Sequence, residues 1–575
     1  MPSKVANTDT TLNWWDRWQG RLRDELAAFE RLNASAKIVE KKDGVLSLSV
    51  AWTSGVDQPL DLVVHFSPLH PFFRPRVVAP HLHLPRHQNP MGKELCLLTQ
   101  DSHQWVATQL VADFLAERLP VLFQVLDARA EGGGEKVAAL EENAPDPKSA
   151  YYTPQPENGS VVLFDGAMQM PPGSGGRALF KVTSRPHVGF PTSIEAVLTQ
   201  LAYPDGKPVR SFDLDYDAPA TIIPGRWVQM APPATCDPSV LLAAADAEVD
   251  RLRVLQPAIA KAWQSVGNEP SFFTALLFEE EVHYGKKGLG AIFIWTSRNP
   301  TQHFAPVLVR GERASEADVF ARLPLSRSLR RKSVLLVGCG AIGGFAAAEL
   351  ARAGIGKLIL ADRDHVQPGN SLRWPVGRQA WGTPKIFALQ DFIRRNYPWT
   401  RVEPEQGALG DFDPKRLKAL IEAVDLVVDA SASTEVQLAL GYYCRVYKRP
   451  YVAGEATLGL VGGMVTRFRP GEPGCWVCVR KKEADKAIVL REDSQGVVTP
   501  AGCNAPTFIG GAYDLQEVSM EIVRSAVGLL SDGAYDAGPW PIGILDMLDD
   551  EGRRTLPSWK AFDLMSDTPC PGCAP

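Results

Sequence analysis

The sequence predicts a multidomain α/β protein, on three observations. The chain has 575 residues, more than a single hydrophobic core usually organises. A stretch rich in Gly, Pro, Glu and Ala, EGGGEKVAALEENAPDPKSAYYTPQPENGS, interrupts it at residues 131–160 with the composition of a linker. Further on, SVLLVGCGAIGGFAAAELAR joins an apolar strand to a helix through a glycine-rich turn. The expected division is an N-terminal α+β domain (1–130), the linker, a mixed α/β middle domain (161–325) and a C-terminal α/β domain (326–575).

Composition excludes several classes. Hydrophobic residues make up 45% and charged residues 22%, as in ordinary soluble proteins. A net charge of -5 gives no electrostatic basis for nucleic acid as the main partner. No run of about 18 apolar residues predicts a membrane helix. The opening MPSKVANTDTTLNWWDRW lacks the apolar segment of a secretion signal, so a cytoplasmic location is expected. The nine cysteines are then expected to be thiols, metal ligands or nucleophiles rather than disulfides.

The elements follow in order. LNWWDRWQGRLRDELAAFERL (12–32) has helical apolar spacing, and VLSLSVAW and LDLVVHFS read as strands. The prolines of PLHPFFRPRVVAPHLHLP forbid a central strand or a helix interior and predict an ordered extended loop. QLVADFLAERLPVLFQVLDARA is helical again. In the middle region SVVLF and GAIFIW predict strands and PSVLLAAADAEVDRLRVL a helix, without a chemical motif. Cys236, Cys339 and Cys444 have no distinctive context and are expected to pack as small hydrophobes.

Gly338, Gly340 and Gly343 form Gly-x-Gly-x-x-Gly directly after SVLLV and at the start of a helix. In that context glycines permit a tight turn and close approach to a phosphate chain, and the helix N-terminus offers unpaired N–H groups. Asp362 ends the next strand, 19 residues beyond Gly343, where a carboxylate can accept from ribose hydroxyls. The expected fold is Rossmann-like. The continuation ADRDHVQPGNSLRWPVGRQAWGTPK resembles the adenylation domain of the ubiquitin-activating, ThiF and MoeB family. The matching residues are Asp362, Asp364, Asn370, Arg373 and Lys385. The resemblance implies ATP rather than NAD. Arginine and lysine suit that chemistry, because negative charge grows on the α-phosphate as pyrophosphate departs. It also implies Mg2+ held by an aspartate pair, here DASAS, with Asp429 present and Ala432 at the second position.

Cys475 and Cys478 (CWVC) and Cys570 and Cys573 (CPGC) have the spacing of two thiolate pairs on one structural Zn2+. Relatives of ThiF and MoeB share that arrangement. Two cysteines stand apart. Cys503, in TPAGCNAPTFIGG, occupies the position where the family implies a thioester-forming nucleophile. Cys96, in NPMGKELCLLTQDSHQW, follows Asn89 by seven residues. Residues 1–128 resemble the ubiquitin-conjugating fold, in which such an asparagine can donate to an oxyanion and the cysteine carries an acyl group. His87-Gln88-Asn89 stands where that family usually has His-Pro-Asn.

The order of domains resembles the fused enzymes of CBASS antiphage operons. That resemblance implies activation of a protein C-terminus, thioester formation on Cys503, transthiolation to Cys96 and transfer to an amine of a target. The acyl donor would be a cGAS/DncV-like nucleotidyltransferase. A dedicated ubiquitin-like protein is the alternative donor, and sulfur-carrier activation a more distant reading. A homodimer through the adenylation domains is implied as well, with an arginine of RSLRRK reaching the partner's ATP.

Overall fold

A computed structural model describes residues 12–56, 58–97, 105–130, 146–154, 158–166, 173–184, 193–211, 221–283, 286–299, 302–303, 305–493, 497–498, 507–508, 510–564, 570 and 572–573. These fall into two compact units, one ending at Ser315 and the other running from Glu316. No described helix is long and apolar enough to cross a membrane.

The first unit opens with the helices α1 (Trp14–Arg17) and α2 (Gln19–Arg31). The single helical run expected from the sequence is broken at Trp18, whose backbone leaves the helical region (φ -122°, ψ 64°). Trp14 is drawn into the core against Phe66 and His70, whereas Trp18 lies against the exposed Phe72. A four-stranded antiparallel meander follows: β1 (Ser35–Lys42), β2 (Val45–Trp52), β3 (Leu60–Phe66) and β4 (Arg76–Val78). β2 alternates inward, while β1 is an edge strand exposed along nearly its whole length, which left it without an apolar pattern to read. The proline-rich stretch supplies only the short edge strand β4, where a missing N–H costs least. The helix Val111–Ala130 closes this part over a core that includes Phe29, Trp52, Phe66 and Phe114. Each such side chain contributes about 1.5–3 kcal/mol by leaving water.

One buried polar group ties these elements together. Glu25 accepts from Arg21 Nε (2.9 Å), His70 Nε2 (3.1 Å) and the Val111 amide (2.8 Å). Arg21 also donates to the Ala107 and Gln109 carbonyls. The Trp105 indole donates to the Pro71 carbonyl at 2.9 Å. The opening helix, the proline-rich loop and the closing helix are therefore tied to one another.

The same unit contains a nine-stranded mixed sheet: β5 (Val161–Phe164), β6 (Gly175–Ser184), β7 (Ile194–Ala202), β8 (Pro208–Ser211), β9 (Thr221–Gln229), β10 (Ser271–His283), β11 (Lys286–Asn299), β12 (Gln302–His303) and β13 (Val307–Arg313). Helices Pro238–Leu252 and Pro257–Gly267 belong to this region. The first starts where the sequence places it: Asp237 caps the Ser239 and Val240 amides, and Pro238 occupies the first turn.

The second unit is built on an eight-stranded sheet ordered β16-β15-β14-β17-β18-β19-β22-β23. Its strands are β14 (Ser333–Val337), β15 (Lys357–Asp362), β16 (Arg401–Gln406), β17 (Leu426–Asp429), β18 (Tyr451–Ala456), β19 (Gly462–Phe468), β22 (Ile542–Leu548) and β23 (Arg554–Phe562). β20 (Val497–Val498) and β21 (Thr507–Phe508) form a separate ribbon. The strands from β16 to β18 are parallel, and the remaining three of the sheet are antiparallel. The chain runs from β14 outward to β15 and β16, then returns to the other side of β14 as β17. The strand order therefore reverses between β14 and β17, which opens a crevice at the carboxyl ends of those strands.

Candidate active site

The crevice gathers most of the residues singled out from the sequence. Gly338 follows β14, Asp362 ends β15, and Asp429 ends β17. Gly338 has φ +85°, and a Cβ there would lie 2.6 Å from the Ser431 nitrogen, so the turn itself requires glycine. At Gly343 a Cβ would meet the Gly338 carbonyl oxygen at 1.8 Å. Gly340, the N-cap of the helix Ala341–Arg352, has negative φ and no neighbour within 4 Å of a Cβ. Packing explains two of the three glycines; at the third a Cβ would meet open space. Gly343→Ala is therefore expected to unfold or strongly destabilise the second unit. Gly340→Ala should keep its thermal midpoint and lose nucleotide affinity. Melting curves with and without ATP check this, and equal behaviour of the two variants would contradict it.

Around the glycines the polar groups are fixed. The Asp362 carboxylate accepts from the Cys339 amide (2.6 Å) and the Asp364 amide (2.7 Å). Lys385 Nζ donates to Asp364 Oδ2 at 3.0 Å, and the Lys385 amide donates to the Asp364 carbonyl at 2.9 Å. That pair anchors the start of the helix Lys385–Asn396 beside the loop. Asn370 Oδ1 accepts from the Gln367 amide at 2.8 Å, capping the short turn that leads to Arg373. Partial burial lowers the Arg373 pKa from the usual guanidinium value, though a guanidinium stays charged at neutral pH. Asp429 is almost wholly buried. Its oxygens accept from the Ser431 amide (2.9 Å), the Ser431 hydroxyl (2.7 Å) and the Tyr451 hydroxyl (2.9 Å). Burial pushes its carboxyl pKa up, while those three donors pull it down. Ala432 follows with φ +53°.

Three contributors escaped the sequence reading. Trp374 donates to the Cys339 carbonyl at 2.9 Å and packs where a Cβ on Gly344 would fall, so it props the glycine loop. Tyr451 and Ser431 orient Asp429. None carries a motif; the fold alone brings them in.

Four thiols meet at the far end of the chain. Cys475 lies 3.7 Å from Cys570 and 3.9 Å from Cys478, Cys478 lies 3.5 Å from Cys573, and all four sulfurs are within 4.8 Å of one another. Four thiolates around one ion at about 2.3 Å would stand about 3.8 Å apart, so the cluster can hold a metal. Gly572 is required there, since a Cβ would sit 2.9 Å from Cys475 Sγ. Arg445 steadies the chain end by donating to the Gly474 (2.5 Å) and Cys573 (3.1 Å) carbonyls. Cys339 and Cys444 are buried, and Cys236 is half-buried with its thiol against Met91.

In the first unit, Cys96 is exposed at the end of a tight loop and donates its amide to the His87 carbonyl at 2.8 Å. Asn89 Oδ1 accepts from the Met91 and Gly92 amides (2.9 and 3.0 Å), which folds the loop and leaves the side-chain NH2 as its donor. Cys503 lies outside the described residues.

The second unit is a doubly wound α/β fold with a crevice at the switch point of its parallel strands. The chain belongs to the ThiF family, whose pattern it matches over residues 316–530. It is 33% identical to the molybdopterin-synthase adenylyltransferase of Escherichia coli, over 35% of this chain and 75% of that one. Ubiquitin-like modifier-activating enzyme 5 of Dictyostelium discoideum is 29% identical over 26% of this chain and 42% of its own. Uncharacterized protein y4oA of Sinorhizobium fredii is 45% identical over 97% of both chains.

Proposed function

We propose that this protein activates the C-terminus of a donor protein with ATP and conjugates it to an amine. The donor carboxylate attacks the α-phosphorus of ATP and pyrophosphate leaves. The Cys503 thiolate displaces AMP from the acyl-adenylate, the Cys96 thiolate displaces Cys503, and an amine displaces Cys96 with loss of a proton. Thioester exchange is close to thermoneutral, because one thiolate replaces another. The observation that carries the first step is the Lys385–Asp364 pair beside the glycine loop. A fixed cation there serves a triphosphate, and hydride transfer has no use for it. The adenylyltransferase and modifier-activating relatives support the same chemistry.

Gly338, Gly340 and Gly343 would line the phosphates, Asp362 and Asn370 the ribose side, and Arg373 and Lys385 the departing pyrophosphate. Asp429 spends its oxygens on Ser431 and Tyr451, so Mg2+ would be carried chiefly by the phosphates and water. Cys475, Cys478, Cys570 and Cys573 would hold a structural Zn2+, which four thiolates leave without an open position. An N-terminal ubiquitin-conjugating-like domain is supported by the helix, meander, cysteine loop and helix in that order, and by Asn89 in the loop. We place the chain, as a homodimer, in CBASS defence with a cGAS/DncV-like nucleotidyltransferase as donor.

Intact-mass analysis of wild type, Cys503→Ala and Cys96→Ala, each with ATP–Mg2+ in host lysate, tests the relay. The expected result is a thiol-labile protein adduct absent from Cys503→Ala and retained on Cys503 in Cys96→Ala, with the donor identified by its mass. An adduct of a ubiquitin-like protein would replace the CBASS donor, and added sulfur alone would overturn conjugation.

A further inference from the structure

The four-cysteine cluster and the crevice are joined by a run of hydrogen bonds through the core of the second unit. Cys475 is the N-cap of the helix Trp476–Ala484, so Trp476 stands between the two thiols of the first pair. Its indole is seated in the core. Phe468 meets it edge-on at 5.9 Å, and a Cβ on Gly441 would lie 2.7 Å from its Cδ1. The indole Nε1 donates to the Tyr451 hydroxyl at 3.2 Å, and that hydroxyl donates to Asp429 Oδ2 at 2.9 Å. Asp429 Oδ1 accepts from the Ser431 amide and hydroxyl. The Ala430–Ser431 backbone in turn closes over Gly338, where a Cβ would lie 2.6 Å from the Ser431 nitrogen and 2.7 Å from the Ala430 carbonyl carbon.

Two features give this run a direction and a cost of breaking it. An indole N–H can only donate, so the Tyr451 oxygen accepts from Trp476 and its own proton is committed to Asp429. Trp476, Tyr451 and Asp429 are all buried, so a lost member leaves its neighbour unpaired away from water.

We propose that Trp476 and Tyr451 are positioning residues for the glycine loop, and that they couple metal binding at the four cysteines to nucleotide binding in the crevice. A metal held by Cys475 and Cys478 would fix the backbone on either side of Trp476. The indole is then held at Tyr451, Tyr451 at Asp429, and the Ala430–Ser431 turn against Gly338. With the thiols unligated, the first turn of that helix loses its metal tie to residues 570–573, and packing alone holds the indole. The turn over Gly338 loosens, and the phosphates lose a preformed cradle. Coupling between two binding sites is reciprocal, so a nucleotide tightens the metal by the factor by which the metal tightens the nucleotide.

This coupling rests on the readings of the cluster as a metal site and of the crevice as an ATP site, and goes beyond a purely structural zinc. Zinc affinity of the full chain is measured by competition with a chromogenic chelator, with and without ATP in excess Mg2+. ATP affinity is measured by equilibrium dialysis on zinc-loaded protein and on chelator-stripped protein held below its thermal midpoint. ATP should tighten zinc by about fivefold or more, and zinc should tighten ATP by the same factor. Tyr451→Phe keeps the ring stacked on Phe468 and removes both hydrogen bonds, so the factor should fall to about one. Trp476→Phe removes only the indole end of the run and should abolish the coupling as well. An undiminished factor in either variant would overturn the positioning role. Zinc-free native protein would overturn the metal reading and the coupling with it, and wild type that fails to bind ATP would do the same for the nucleotide reading. Zinc and ATP that both bind but ignore one another would leave those readings standing and overturn the coupling alone.

Discussion

Lys385→Ala is expected to cut the rate of adduct formation with ATP by roughly 10²–10³, the usual cost of removing one donor aimed at developing charge, and to leave the fold intact. The asymmetry follows from exposure. The Lys385 side chain is 12% exposed, whereas its partner Asp364 is 57% exposed and is rehydrated once the lysine is gone. Exposed carboxylates lose little from an unpaired state. The helix that begins at Lys385 keeps its amide bond to the Asp364 carbonyl, and its buried face of Ile386, Leu389 and Ile393 is untouched. The readout is the adduct rate by intact mass, alongside the thermal midpoint. A wild-type rate in Lys385→Ala would remove this lysine from the chemistry, and a collapsed midpoint would make it structural.

Cys478→Ser should produce a large loss of stability together with loss of metal. Native protein is expected to carry one zinc per chain by elemental analysis and the variant none. Metal binding to a site absent from the unfolded chain is itself folding free energy. A loss of about 4 kcal/mol would lower the midpoint of the second unit by about 10 °C. The cluster is the point at which residues 570–573 are fastened to the helix Trp476–Ala484, through Cys475, Cys478 and the Arg445 contacts. Cys236→Ser, remote from the cluster and half-buried, serves as the control that keeps its metal. Metal-free native protein, or full occupancy in Cys478→Ser, would dismiss the zinc assignment.

Much of the second unit is legible because its signals are local. Strand, glycine turn and helix at 333–352 are consecutive, and the motif implies its own geometry; two of its glycines are demanded by contacts within a few residues or with the neighbouring strand. The two Cys-x-x-C pairs were legible for a different reason, since paired thiols at that spacing imply a common ligand across 91 residues of separation, and the folded chain brings all four sulfurs together. What could not be read has no local signal. β1 is an edge strand with nearly all its side chains in water, so no periodicity marks it. The break at Trp18 arises because Phe66 and His70 pull Trp14 inward, a contact across about fifty residues of chain.

The strand–glycine-turn–helix at 333–352 and the four-cysteine set were determined by the sequence itself, because each depends on residue type at short spacing. Tertiary structure alone decided which side chains surround those groups. Tyr451 on Asp429, Trp374 under the glycine loop, and Asp146 on the His87 amide come from distant segments. A tyrosine and an aspartate five residues apart in a linker-like stretch are unremarkable as sequence. Only when Glu280 fixes that stretch against the nine-stranded sheet, and the His87 amide donates to Asp146, does it join the loop that carries Cys96. Chemistry written in a motif survives as sequence, while chemistry assembled by packing exists only in the fold.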